Sequence, residues 1–185
     1  MLFRSVQDAL VLKARAFLTN TWSALTEAKF SVRSPIEISE IMYHPVGDGA
    51  ISADEFEFLE LFNAGSASVD LSNWYFSEGI NFVFPAGSSL KPNARLVLVR
   101  NRDQFLKRYP GAAVFGVYTG KLSDNGETLR LNRPDGSRAF STTYGDSSAW
   151  PQTPDGWGFS LTRVSFEPGK DSEPSSWREI GRAHV

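Results

Sequence analysis

The sequence predicts an all-β domain built as a two-layer sandwich, and three observations predict it. Short apolar segments recur between positions 34 and 150, turn residues separate them at close spacing, and only one brief stretch has helical character. Aromatic residues make up 13% of the chain, with 14 Phe and 5 Trp, and the 15 Gly and 10 Pro supply the turns that many short strands require. At 185 residues the chain is long enough to bury a full core.

The elements follow in order. Val11–Phe17 alternates, with Leu12, Ala14 and Ala16 on one face, and Asn20-Thr-Trp22 reads as a turn into a second strand at Glu27–Val32. A lone hairpin is marginal in water, so this one is expected to need a partner sheet. Ile36–Tyr43 opens the main domain. Phe56–Phe62 then places Leu59 and Leu61 on one face and Phe58, Glu60 and Phe62 on the other. Leu71 and Trp74 lead into Tyr75 and Phe76, and Asn81–Phe84 is a further strand segment. Pro85-Ala-Gly87 and Lys91-Pro-Asn93 bracket the link to a strand at Ala94–Arg100. A short helix is expected at Asp103–Arg108, with Asp103 as its N-terminal cap and Tyr109-Pro-Gly111 as its stop. The Asn125-Gly126 pair within Leu122–Glu127 is a strong hairpin signal feeding Thr128–Asn132, and Pro134-Asp-Gly136 turns the chain into Ser137–Phe140. Trp150–Leu161 is a Pro/Gly/Trp-rich stretch ending in a last strand, and Pro174-Ser-Ser-Trp177 belongs to a tail wrapping the sandwich.

Composition excludes several classes of function. There is no Cys, so disulfides and thiolate metal sites are absent. The net charge is −2, from 19 basic and 21 acidic residues, and residues 34–150 carry 10 basic against 14 acidic residues, net −4. Such a field does not suit phosphate backbones or anionic lipid. No apolar run reaches the length of a membrane span, and residues 1–8 lack the basic and apolar regions of a secretion signal.

The blocks Glu57-Phe-Leu-Glu-Leu-Phe-Asn63, Asp70-Leu-Ser-Asn-Trp74, Phe84-Pro-Ala-Gly87, Leu90–Val99 and Leu122-Ser-Asp-Asn-Gly-Glu127 with Leu129 and Leu131 follow one another over about 110 residues. In that order they resemble a lamin tail domain of the bacterial type. Ile38–Pro45, ending Glu-Ile-Met-Tyr-His-Pro, suits the opening of such domains. The resemblance implies an immunoglobulin-like β-sandwich. It further implies a non-catalytic adhesion, tethering or scaffolding module within a large exported bacterial protein, extracellular or at the cell surface. Its partners would be other domains of the same polypeptide, a cell-surface protein or a glycan, without cofactor or nucleic acid. The filament role of animal lamins does not carry over, because there is no heptad rod. Accessory service to an exported enzyme (CotH-type kinase-like, nuclease or hydrolase) and carbohydrate binding stay open as alternatives.

The first thirty residues resemble the closing strands of a fibronectin-like or chitobiase-C-terminal-like sandwich; the other reading is a plain hairpin decorating the main domain. The first reading makes Met1 an internal point of a longer protein and residues 1–33 the remnant of a preceding domain. The lamin-tail-type sandwich would then span 34–166, with a tail over 167–179. Ile180-Gly-Arg-Ala-His-Val185 matches the translation of a common sequencing adapter, so 180–185, with His184, is set aside from function.

Candidate sites are few. His44 lacks the partners of a nucleophilic triad or a zinc site and reads as a hydrogen-bonding group at a strand end. Asp48, Asp54, Glu55, Glu57 and Glu60 are oxygen donors of the kind Ca²⁺ prefers, but their spacing matches no cation loop; a solvated or edge-protecting charge pattern is the plainer reading, and no metal is expected. Arg95, Arg100, Arg102, Lys107 and Arg108, interleaved with Phe105 and Tyr109, form the most basic stretch and read as a solvated face. Phe56, Phe58 and Phe62 either pack inside the molecule, under the N-terminal hairpin or the Trp157-Gly-Phe159 segment, or form a partner surface. With Trp150 and Trp157, which could stack on a sugar, they make up the candidate binding surface.

Overall fold

The computed structural model describes residues 10–30, 34–167 and 169–181 and divides the chain into two compact units, Met1–Ser34 and Pro35–Val185. The first carries two nested antiparallel pairs. β1 (Leu10–Ala14) pairs with β4 (Thr26–Phe30), and β2 (Phe17–Leu18) pairs with β3 (Thr21–Trp22). Thr19 and Asn20 both have positive φ, 48° and 65°, as a two-residue hairpin turn requires. The turn therefore falls one residue earlier than Asn20-Thr-Trp22, which leaves Trp22 in a strand against Phe17 and under Arg15. Lys13 and Glu27, directly opposite in register, form a 2.7 Å ion pair. The last two residues of the expected second strand, 31 and 32, lie outside the described residues.

The second unit contains eleven described strands and one helix: β5 (Ile36–Met42), β6 (Phe58–Asn63), β7 (Val69–Asp70), β8 (Tyr75–Glu78), β9 (Ser89–Leu90), β10 (Arg95–Val99), α1 (Arg102–Arg108), β11 (Gly116–Val117), β12 (Glu127–Asn132), β13 (Arg138–Tyr144), β14 (Phe159–Arg163) and β15 (Trp177–Gly181). One layer is a six-stranded sheet in the order β11-β10-β6-β5-β14-β15, antiparallel except at β10–β11. The other consists of the β13-β12-β8 sheet, and β7–β9 form a further short pair. Asn81–Phe84 makes single bridges, Tyr75 to Val83 and Asn81 to Thr119, rather than the strand the sequence suggested.

The core lies between the layers. Ile36, Ile38, Ile41, Leu59, Leu61 and Leu98 from the six-stranded sheet meet Leu71, Trp74, Phe76, Leu129, Leu131 and Phe140. Strict alternation would send Ile38 and Ile41 to opposite faces. A β-bulge resolves this: Ile38 faces Leu61 and Glu40 faces Glu60, so Ser39 is the extra residue and the face switches. The outer face of the sheet carries a second cluster, in which Met42, Phe58, Val97 and Val99 are covered by Phe105 of α1 with Leu106, Tyr109, Ala112 and Val114.

Polar residues of the signature blocks hold the turns. Asn63 is fully buried; its amide donates to Ala67 and Leu90 carbonyls, both at 2.9 Å, and its Oδ1 accepts from the Gly65 N–H at 2.9 Å. One side chain thus satisfies three backbone groups where the chain leaves β6. The helix is capped by Asn101, not Asp103: its Oδ1 accepts from the Asp103 and Gln104 amides, while its Nδ2 donates to Glu55. The helix begins one residue earlier than expected, and Asn is as good an N-cap as Asp.

Asn125-Gly126 does not close a hairpin. β12 pairs with β13 across Pro134-Asp-Gly136 and with β8 on its other side, and the segment before Asn125 is not a strand. Gly126 has φ +86°, Asn125 is not in the left-handed region, and the Gly126 N–H closes a turn on the Ser123 carbonyl. A Cβ at Gly126 would meet the Tyr144 carbonyl oxygen at 2.4 Å. Gly126→Ala is therefore expected to destabilise by roughly 2 kcal/mol or more, from the left-handed backbone and a clash with main chain that cannot swing aside. A thermal midpoint within 1 °C of wild type would count against this.

The tail is also different from expectation. Pro174–Ser176 forms a 3-10 turn, and β15 follows as the edge strand on β14, with Leu161 opposite Glu179 and Phe159 opposite Gly181. The Trp177 side chain is buried in the main core. Residues 177–181 are thus part of the sandwich, which runs past the expected limit at 166.

A candidate binding cleft

Most of the predicted surface residues belong to the frame. Phe58 is fully buried, with the Phe105 ring 5.5 Å and the Tyr109 ring 6.0 Å away, both edge-on. Phe56, in the 3-10 turn before β6, is buried with the Arg108 guanidinium 3.5 Å over its ring. Phe62 is half-buried between Phe166 and Arg95. The cover over Phe56 and Phe58 is α1, so neither offers a partner surface. Trp150 is half-buried as well, packed on Gly145 and 6.4 Å from the Trp177 ring, which withdraws it from sugar stacking. Trp157 alone of the five is open to solvent, at 76% exposure.

The charged candidates are likewise engaged. Asp48 accepts from the Ala50 and Ile51 amides, Asp54 pairs with Lys121, Glu55 with Arg100 and Asn101, and Glu60 with Arg95 at 2.9 Å and with the Ser39 hydroxyl. Arg102 donates to the Val114 carbonyl and Lys107 to Gln104. Among the described residues no three His, Asp or Glu side chains are arranged to hold a metal ion.

Burial shifts the carboxyls of Glu57 and Glu40. Burial pushes the Glu57 carboxyl up to about 8, against the opposing pull of the Leu122 N–H at 2.9 Å and the Tyr118 hydroxyl at 3.1 Å, both donating to Oε2. Burial also raises Glu40 to about 7, despite the Ser160 hydroxyl that donates to it, with the neighbouring Glu60 charge adding to the rise. Glu40 lies within β5 and Glu57 immediately before β6.

His44 helps to build an open cleft. Its Nδ1 lies 2.6 Å from Asp155 Oδ1, its carbonyl accepts from the Gly156 N–H at 3.0 Å, and Gly156 packs against the imidazole. Gly156 and Gly158 both have positive φ, 80° and 82°, so the chain doubles back and Trp157 projects from the bend. The indole borders a cleft of about 600 Å³ whose other walls include Val46, Arg108, Tyr109 and Phe159. Arg108 donates to the Val46 carbonyl at 2.7 Å and, among the described residues, pairs with no carboxylate; burial lowers its pKa from the usual arginine value. Trp157→Ala is expected to leave stability within about 0.5 kcal/mol, because so exposed a ring contributes little packing. Loss of more than twice that in urea unfolding would mean the indole is structural.

A two-layer, mostly antiparallel β-sandwich of this kind is the architecture of an immunoglobulin-like domain. The Lamin Tail Domain family matches residues 30–146, more than half of the sequence. The chain belongs to that family. No curated protein and no solved structure matches it. The match covers Val46, Arg108 and Tyr109 but ends before Trp157 and Phe159, so the open wall of the cleft comes from chain outside the family region.

Tyr109 and Phe159 were not singled out from sequence as binding residues. The signal that could have found the cleft is Gly156-Trp157-Gly158, a large aromatic residue held between two turn-forming glycines.

Proposed function

We propose that this chain is a non-catalytic tethering module that binds a protein partner on behalf of a larger exported bacterial polypeptide. The observation carrying the reading is the contrast between the chemically capable groups, which hold the frame, and the aromatic and cationic side chains that line the cleft. His44, Glu57 and Glu60, which could serve chemistry, hold a turn, a loop and a cross-strand pair. The side chains lining the cleft include Trp157, Tyr109 and Arg108, of the types that dominate binding hot spots. Membership of an immunoglobulin-like family is compatible with such a role, and an exported, cell-surface setting is what the lamin-tail resemblance implies.

Two measurements test it. Incubation of the purified chain with phosphoester, glycoside, peptide and ATP substrates should give no turnover above buffer. Turnover abolished by His44→Ala or Glu57→Gln would refute the non-catalytic reading. In intact producing cells, added protease should cleave the domain from the outside; full protection until lysis would refute export.

A further inference from the structure

We propose that the Trp157 cleft takes a short acidic peptide segment, seating one large apolar side chain against Trp157 and Phe159 and a carboxylate on Arg108. This rests on the tethering reading and names the chemistry of the partner.

Three observations lead there. The first is that the indole is presented rather than stranded: the His44–Asp155 contact and two positive-φ glycines fix the bend that carries it. A rigid aromatic anchor loses little conformational freedom on binding. The second concerns charge. Arg95, Arg100, Arg130 and Arg163 each pair with a carboxylate, whereas Arg108, among the described residues, meets the Val46 carbonyl and the Phe56 ring and no paired carboxylate. Asp48 acts on Arg108 electrostatically without pairing with it; one oxygen of its carboxylate, Oδ1, accepts from the Ala50 and Ile51 amides. A partly desolvated guanidinium with donors to spare favours a carboxylate, to which it can present two N–H groups in parallel.

The third observation selects peptide over glycan. Among the described residues, the lining side chains with polar groups are Arg108, Tyr109 and Trp157; Val46, Gly158, Phe159 and Gly181 are apolar. A sugar seated there would bury hydroxyls without partners, and each unsatisfied group weakens binding. A Leu, Phe or Trp side chain has no such requirement. Because residues 34–150 carry net −4, the carboxylate is read at contact range rather than steered from a distance.

The test uses the 185-residue chain, wild type and Trp157→Ala, immobilised side by side and panned with a displayed library of random heptapeptides. Wild type should enrich peptides holding a large apolar residue close to Asp or Glu, and the same peptides made synthetically should bind Trp157→Ala at least about tenfold more weakly. Converting the peptide's acid to its amide should weaken binding to wild type about tenfold and to Arg108→Gln less than about twofold, the signature of a coupled pair. Should Arg108→Gln fail to fold, the acid-to-amide change on wild type tests the charge contact by itself. Peptides that bind Trp157→Ala equally well would overturn the cleft assignment and leave the tethering reading standing. Enriched peptides without acidic residues would overturn the role of Arg108. No peptide enrichment, with Trp157-dependent binding on a glycan array, would overturn both the peptide assignment and the protein-tethering reading.

Discussion

Phe58→Ala should lower stability by roughly 3–5 kcal/mol, the range for truncating a fully buried aromatic side chain. For a chain of this length that corresponds to a fall in thermal midpoint of about 10 °C. The size follows from position. Phe58 sits on the outer face of β6 and is the floor on which α1 rests, touching the rings of Phe105 and Tyr109. The damage should be local in kind, because the interlayer core of Leu59, Leu61 and their partners lies on the opposite face. Amide exchange should rise in Arg102–Tyr109 before it rises in β12 and β13. Phe62→Ala, at a half-buried site, should lose only about 1 kcal/mol. Near-equal losses from the two substitutions would show that the helix does not depend on that floor.

Glu57→Gln should stabilise the protein at alkaline pH. In the unfolded chain the carboxyl ionises near its model value of 4.5, while in the fold burial pushes it up to about 8. Below pH 4.5 both states hold the proton and the contribution is fully present. Between 4.5 and about 8 only the unfolded state gives it up, so stability falls by about 1.4 kcal/mol per pH unit from this group. Above 8 both states are ionised and the loss is complete. A glutamine cannot ionise and keeps an oxygen for the Leu122 N–H and the Tyr118 hydroxyl. Denaturant unfolding at pH 5, 7 and 9 should therefore show a gain over wild type that widens with pH and levels off. A residual slope below pH 7 should persist from Glu40, whose carboxyl is raised to about 7. A glutamine variant less stable than wild type at pH 9 would sink this account.

Much of the architecture was legible because period-two alternation in Phe58–Phe62 and the turn residues around it are local signals. The features that escaped depend on contacts between distant segments. Phe105 and Tyr109 were read as aromatics within a basic stretch, yet their i, i+4 spacing puts both on one helix face, and that face meets Phe58. Asp103 and Asn101 are both good caps by type, and only the geometry chose Asn101. The Asn-Gly turn misled because a type I′ hairpin needs positive φ at both residues, and Asn125 does not have it. The bulge at Ser39 left no mark in composition. Of the candidate surface, Trp157 is exposed, Phe62 and Trp150 are half-buried and Phe56 and Phe58 are buried, in keeping with large apolar residues reporting burial more often than display.

The pairing of β14 with β5 sets a condition on how this domain forms during synthesis. Leu161 faces Ile41 and Thr162 faces Glu40, partners separated by about 120 residues of chain. The middle of the larger sheet cannot be completed while β14 is still inside the ribosome, and until then β5 presents an open strand edge to the cytoplasm or to a translocation channel. Long-range pairing of this kind slows folding and prolongs exposure of sticky intermediates. A nascent chain arrested just short of Phe159 should hence be held by chaperones and cut readily by protease. One arrested with Trp177–Gly181 fully emerged should resist.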